Sequence, residues 1–440
     1  MMWAKISSVF DNVKPKYDDD VVDRINYFYT PFAIATVALT IALKQHVGEP
    51  LQCWIPKQFT GAWEKFSENY CFVENTYYAP VDGRVPTDPL ERQSNELIYY
   101  QWVPFILFAL IFLFLFPRKL WSSLNWKSGY HLSSLVAKCQ ASMKKNEMNA
   151  KEVGEVQKQL WEAIGTRNFL KKHKKQTNHL SFFRAGRAYY SSYLTIIYVG
   201  YKSLNVFNTF LQIYLLNSFL GTEYRFWGFG VLQDLLEGRG WRQSGAFPRV
   251  VFCDVPFRSL GNENVPRSSG VGYTLQCVLP INMFNEKIFI LLWIWLAVLA
   301  VLNTLNLFYW IFVMFCDWCS LEFLRSHLVS PPNRRETPAQ CLQAYRVDHT
   351  KDGHVPNNAA LYYFFKNTLH RDGLLVLRLL ADNCGDIVTS DLIFYLWKMN
   401  EQTAKESLSL SDGRHYSPMT ASTVSTVLQD DLSERRDKPF

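Results

Sequence analysis

Nine cysteines carry most of the covalent chemistry open to this 440-residue chain, because a thiol can close a disulfide, bind a metal or stay reduced according to its neighbours and compartment. Cys53 and Cys71 lie in one segment and Cys253 and Cys277 in another, a set of four that allows three pairings. Cys316-Asp317-Trp318-Cys319 has the spacing of half a zinc site. It lacks two further ligands nearby, so it reads as ordinary buried thiols or, more weakly, as palmitoylation sites. A second kind of chemistry is suggested by polar stripes. Lys202, Asn205, Thr209 and Gln212 recur at three- and four-residue intervals, and Thr36, Thr40 and Lys44 at four, so on helices each set shares one face. Inside a bilayer such a face turns to a bundle interior or to water. It then serves either as helix-helix glue, worth about 1 kcal/mol per contact, or as the wall of an aqueous path. Asn303, Thr304 and Asn306 look like glue. No phosphate-binding loop, Gly-x-Gly-x-x-Gly or His-Glu-x-x-His is present. The remaining charges follow loop faces instead of converging inside the membrane, and His131, His173 and His179 read as solvated. Neither an enzyme nor a cofactor or metal site is expected.

The elements that must position these residues are four apolar segments, 28–47, 97–116, 193–220 and 288–315. Crossing about 30 Å of hydrocarbon takes roughly 20 helical residues. Overall composition, with 19% charged residues and a mean hydropathy of −0.08, would fit many soluble proteins; local segregation decides the matter. Residues 288–315 hold no charge at all, and a globular core has no use for four such helices. Thr30-Pro31 suits a helix start, and Lys44 can reach an interface with its stem in lipid. The second segment opens on Tyr99-Tyr100-Gln101-Trp102-Val103-Pro104, an aromatic run of the kind found at headgroup level, and is expected to stop at the basic boundary Pro117-Arg118-Lys119.

Charge orients the spans. Residues 117–188 contain 15 Lys/Arg against 4 Asp/Glu, whereas 48–98 contain 4 against 8 and 221–285 contain 6 against 5. Basic residues beside spans stay cytoplasmic, which puts the central loop inside, the flanking loops outside and both termini in the cytoplasm. Met1 to Tyr27 lacks an apolar core and a cleavage site, so span one is expected to be retained as the targeting signal. The run Lys171-Lys172-His173-Lys174-Lys175 needs no nucleic acid to explain it, since topology and anionic lipid already do so. The map is therefore an amino-terminal segment 1–27, span 28–47, outer loop 48–96, span 97–116, inner loop 117–192, span 193–220, outer loop 221–287, span 288–315, a cytoplasmic helical region 316–399 and a flexible tail 400–440. Cys53, Cys71, Cys253 and Cys277 then face the oxidising side, while Cys139, Cys341 and Cys384 are cytoplasmic. In the second outer loop, 249–257 and 272–279 are β-prone runs flanking a turn-rich stretch, and in the first, 61–70 suits a short amphipathic helix. Neither outer loop has an Asn-x-Ser/Thr sequon, which fits a surface meant for close protein contact.

The hexapeptide Tyr99–Pro104, two cysteines in each outer loop and this order of spans together resemble the innexins, the gap-junction proteins of invertebrates. Connexins are similar in topology but carry three cysteines per loop. The resemblance covers residues 1–397. It implies an all-α integral membrane protein: a four-transmembrane-helix subunit with a small disulfide-braced extracellular α/β cap and a helical cytoplasmic dome. It also implies a homo- or hetero-oligomer of eight subunits around a pore, placed in the plasma membrane. Each hemichannel would dock to one on the adjacent cell and pass ions and small metabolites passively. Cys53 would pair with Cys277 and Cys71 with Cys253. The amino-terminal segment would enter the pore, with Met1, Met2 and Trp3 near the constriction and Asp18, Asp19 and Asp20 lending charge to the cytoplasmic funnel. Thr36 and Thr40 of span one would face the pore, leaving the stripe on span three to packing.

Within the dome, 321–328, 359–370, 374–380 and 391–398 read as helices, interrupted by Pro331-Pro332 and Gly353. Ser417-Pro418 in the tail is a minimal phosphorylation motif. Two rival functions share this sequence: a nonjunctional hemichannel releasing small solutes, and a four-span adhesion protein with no continuous pore.

Overall fold

The computed structural model describes residues 17–74, 76–79, 86, 88–144, 150–174, 184–220, 247–257, 271–329 and 358–412. Its helices and strands run as α1 (Val21–His46), β1 (Gln52–Cys53), α2 (Gly61–Glu74), β2 (Thr76–Tyr77), α3 (Pro89–Ser94), β3 (Glu96–Leu97), α4 (Tyr99–Trp126), α5 (Leu132–Lys144), α6 (Ala150–Lys174) and α7 (Arg184–Leu220). They continue as β4 (Val250–Phe257), β5 (Val271–Val278), α8 (Pro280–Phe315), α9 (Asp317–Val329), α10 (Asn358–Tyr363), α11 (His370–Cys384) and α12 (Asp386–Asp412). Ile25–Tyr29 within α1, and Phe364–Leu369 after α10, are wound as π-helix. The chain divides into two compact units, Met1–Ala137 with Ser192–Cys316, and Lys138–Ser191 with Asp317–Phe440.

In the first unit, α1, α4 and α8 are each long and apolar enough to cross a membrane. All three outrun the spans expected from hydropathy. Helix α1 starts at Val21 because Asp20 caps it, its Oδ1 accepting the Asp23 N–H at 2.8 Å. Helix α4 does not stop at Pro117-Arg118-Lys119 but continues to Trp126, with Arg118 buried. Helix α8 begins at Pro280, where a missing N–H costs nothing. Helix α7 is broken at Ser192 (φ −138°, ψ 21°), the boundary expected between inner loop and third span. The core joins Ile34, Ala38 and Ile41 of α1 to Val103, Leu107 and Phe114 of α4 and to Phe289, Leu296 and Leu299 of α8. Ala38 is fully buried, the small side chain that close helix approach requires.

The extracellular loops form one antiparallel sheet in the order β1-β5-β4-β2-β3. The long hairpin of the second loop lies in its middle, and the short strands of the first loop flank it on both sides. Period-2 burial fixes the register: Val251, Cys253, Val255, Leu275 and Cys277 point into the core, while Thr274, Gln276 and Val278 point out. Disulfides Cys53–Cys277 and Cys71–Cys253 both run between loops. Asp254 adds a polar clasp, accepting from Arg92 Nη1 at 2.7 Å and Thr274 Oγ1 at 2.6 Å.

The second unit is helical and draws on both the inner loop and the region after α8. Arg167 of α6 pairs with buried Asp372 of α11 at 2.7 Å, and Asn168 donates to the Thr368 carbonyl at 3.1 Å. Leu374, Leu375, Leu379, Leu392 and Leu396 fill the core between α11 and α12. Gly385 turns the chain between these helices at φ +79°, a conformation that disfavours any side chain. Buried Cys139 and Cys384 hydrogen-bond to each other. Helix α12 runs to Asp412, so the first residues of the expected tail are helical. Cys341, Pro331-Pro332, Gly353 and Ser417-Pro418 lie outside the described residues.

Candidate functional site

Four carboxylates meet two cations at the start of α1. Arg118 of α4 reaches Asp18 Oδ1 at 2.5 Å through Nη2 and Asp19 Oδ2 at 2.8 Å through Nη1. Lys202 of α7 lies 2.5 Å from Asp20 Oδ2 and 2.7 Å from Asp23 Oδ2. Neutral donors complete the shell: Asn306 Nδ2 and Trp310 Nε1 of α8 each donate to Asp20 at 2.8 Å, and Asn205 donates to Asp23 at 3.1 Å. Aromatic faces surround the cations, with the guanidinium of Arg118 4.7 Å from the Tyr27 ring centre and the Lys202 ammonium 5.0 Å from that of Tyr198. One layer above, Asn26 and Asn303 exchange side-chain hydrogen bonds at 2.6 and 2.9 Å, and Asn303 also donates to Thr209 at 2.9 Å.

Two expectations from sequence are corrected here. Charges do converge inside the helix bundle. Asp18, Asp19 and Asp20 are 2%, 0% and 6% exposed, so they are counter-ions within the subunit and do not lend free charge to a funnel. The physical reason is that Arg118 and Lys202, both in helices of the bundle, need carboxylates to compensate their desolvation. The run of three acids supplies them. Sequence holds a usable signal in Lys202, a cation within an apolar segment that has no nearby acid. The partners are 99 to 182 residues apart, which hides the match.

The two polar stripes have opposite fates. Lys202, Asn205, Thr209 and Gln212 are all buried in the bundle. Thr36 and Thr40 of α1 stay on the exposed face with Phe32 and Lys44, opposite Ile34, Ala38 and Ile41. Their hydroxyls bond the carbonyls one turn back, Phe32 O at 3.0 Å and Thr36 O at 2.8 Å. The stripes therefore do not face each other. Asn303 and Asn306 act as interhelical glue, whereas Thr304 bonds Ala300 of its own helix. Met1, Met2 and Trp3 lie outside the described residues.

At the opposite end of the spans, the hexapeptide joins cap to bundle. Tyr100 is buried; its hydroxyl donates to the Phe72 carbonyl at 3.2 Å, and Gln101 Nε2 donates to the same carbonyl at 2.6 Å. Phe72 follows Cys71, so the motif grips α2 beside its disulfide to β4. Tyr99 packs edge-on against Phe219 and Phe247, and Val103 and Pro104 are buried. Trp102 faces outward, as an aromatic at the headgroup level should.

The innexin family model matches residues 19–400, taking in Asp19, Asp20 and Asp23 of the acid cluster, the hexapeptide, the cap and the dome helices as far as residue 400. The chain is 34% identical to innexin unc-9 of Caenorhabditis elegans, over 90% of its own length and 96% of that protein's. Innexin-16 of the same organism is 35% identical over 90% and 92%, and innexin-17 is 37% identical over 67% and 76%. A match spanning both units, with similar coverage of whole relatives, shows that this chain belongs to the innexin family.

Proposed function

We propose that eight copies of this chain, each crossing the membrane four times with α7 as the third span and both termini in the cytoplasm, surround one pore. As an innexin the chain is a gap-junction channel subunit and not an enzyme. Such channels conduct passively, so the protein's task is to hold a water-filled path open across two membranes and seal it between cells. The observation that carries this reading is the cap. Two disulfides and a five-stranded sheet weld both extracellular loops into one body, rooted on α1, α4 and α8. A rigid surface of this kind lets a hemichannel dock to its counterpart with little ordering cost.

Within each subunit, the exposed face of α1 faces the pore, with Thr36 and Thr40 lining it. Their neutral hydroxyls offer hydrogen bonds to passing water without a fixed charge. Met1, Met2 and Trp3 set the constriction at the cytoplasmic entrance. The cluster of Asp18, Asp19, Asp20 and Asp23 with Arg118 and Lys202 anchors the root of that segment.

The test is dual whole-cell recording from paired, otherwise uncoupled cells expressing the chain, with current across the unpaired membrane measured in the same preparation. Junctional conductance is the expected result. Current only in unpaired membranes would favour a nonjunctional hemichannel, and adhesion without either current, despite surface delivery, would overturn the channel reading.

A further inference from the structure

Pro104 occupies the sixth position of α4, a long helix whose other backbone groups must be satisfied within the protein. Proline has no N–H, so the carbonyl four residues earlier, that of Tyr100, loses its intrahelical donor. A side chain from another span supplies the replacement. Gln45 Nε2 of α1 donates to the Tyr100 carbonyl at 2.7 Å, and both residues are buried. Tyr100 is at the same time bonded through its hydroxyl to Phe72, next to the Cys71–Cys253 disulfide. One residue thus touches α1 with its backbone and the extracellular cap with its side chain.

We propose that Gln45 is a positioning residue for channel opening: its amide fastens the outer end of α1 to the carbonyl that Pro104 frees, so that the docked cap and the pore-facing helix move as one body. The geometry makes the link specific. Glutamine reaches the carbonyl and donates; a glutamate of the same length cannot donate when ionised, and methionine cannot donate at all. The Gln45 bond is required only because residue 104 is proline. Any residue with an N–H at that position would satisfy Tyr100 from within α4.

That dependence gives a double-mutant test, which rests on the channel reading for its electrical arm. Gln45→Met is expected to lower junctional conductance about tenfold at equal surface delivery. In the Pro104→Ala background, the same change should cost less than about twofold, because the helix now bonds its own carbonyl. Gln45→Met conducting like the parent, or losing as much in the Pro104→Ala background as in the parent, would overturn the proposal. If Pro104→Ala is itself silent, the cycle is read on the purified assembly by thermal unfolding. Gln45→Met should then lower Tm by about 2 °C in the parent and by much less with Pro104→Ala. Equal shifts would sink the link, while a parent chain that never conducts would count against the channel reading alone.

Discussion

The two ends of the transmembrane bundle are fastened by different chemistry. On the extracellular side, the cap is held by two disulfides and by neutral hydrogen bonds from Tyr100, Gln101 and Gln45. At the other end, the root of α1 is held by buried ion pairs, Arg118 with Asp18 and Asp19 and Lys202 with Asp20 and Asp23. Compartment explains the covalent end. A disulfide persists in an oxidising extracellular setting, so bridges suit the cap, whereas the root of α1 is fastened by charge. Buried ion pairs are also directional, each carboxylate being fixed by the geometry of its cation.

The sharpest way to break this comparison is to leave carboxylates buried without their cation. Lys202→Met is expected to cost about 3–5 kcal/mol, because Asp20 and Asp23 lose the ammonium while staying desolvated. Loss of assembled channels on native gels and of surface delivery would follow. Lys202→Met combined with Asp23→Asn should recover part of the loss, since the Asp23 charge is removed while Asp20 still accepts from Asn306 and Trp310. A double variant as unstable as the single one would show that packing, not charge, holds the inner end.

The outer end should respond next. Cys71→Ser is expected to remove about 2–5 kcal/mol of cap stability and abolish junctional conductance. Protease protection of the extracellular loops and dual recording check the two halves of that statement. Normal coupling by Cys71→Ser would mean that the sheet and the hexapeptide hold the cap without the covalent link.

Legibility in the sequence differs between the two ends. The hexapeptide and the two cysteines per loop are local patterns, and the hairpin strands follow from alternation over 249–257 and 272–279, so short stretches of chain suffice to read the outer end. Which cysteines pair does not follow in the same way, because four thiols admit three arrangements and only the family resemblance chooses among them. The inner end misleads. A run of three aspartates ahead of an apolar segment looks like a solvated approach to the membrane, and the cations that bury it come from α4 and α7. The limits of α1, α4 and α8 escape hydropathy for a related reason: it marks lipid-facing length, whereas capping by Asp20 and pairing of Arg118 extend the helices beyond it. Helix α7 shows the converse, its apolar signal diluted by a stripe that serves the bundle's interior.

A smaller effect is expected one layer from the ion pairs. Asn303→Leu removes hydrogen bonds to Asn26 and Thr209 and should cost about 1 kcal/mol, seen as a modest Tm decrease with channels still assembled. A loss as large as that of Lys202→Met would merge the asparagine pair with the charged anchor and erase the distinction between them.

The smallest change in stability is expected between the two fastenings, on the outward face of α1. The Thr36 hydroxyl bonds the carbonyl of Phe32 in its own helix, so Thr36→Val should shift stability by less than about 0.5 kcal/mol. Permeation gives the residue its separate readout. If this face lines the pore, Thr36→Cys will be modified by a charged, water-soluble thiol reagent, and the attached charge will change single-channel conductance. A neighbour on the buried face, such as Ala38→Cys, should stay unmodified because that position is sealed against the bundle. Equal silence at both positions would place Thr36 against lipid or another subunit, and the middle of α1 would then be held from outside, not only at its ends.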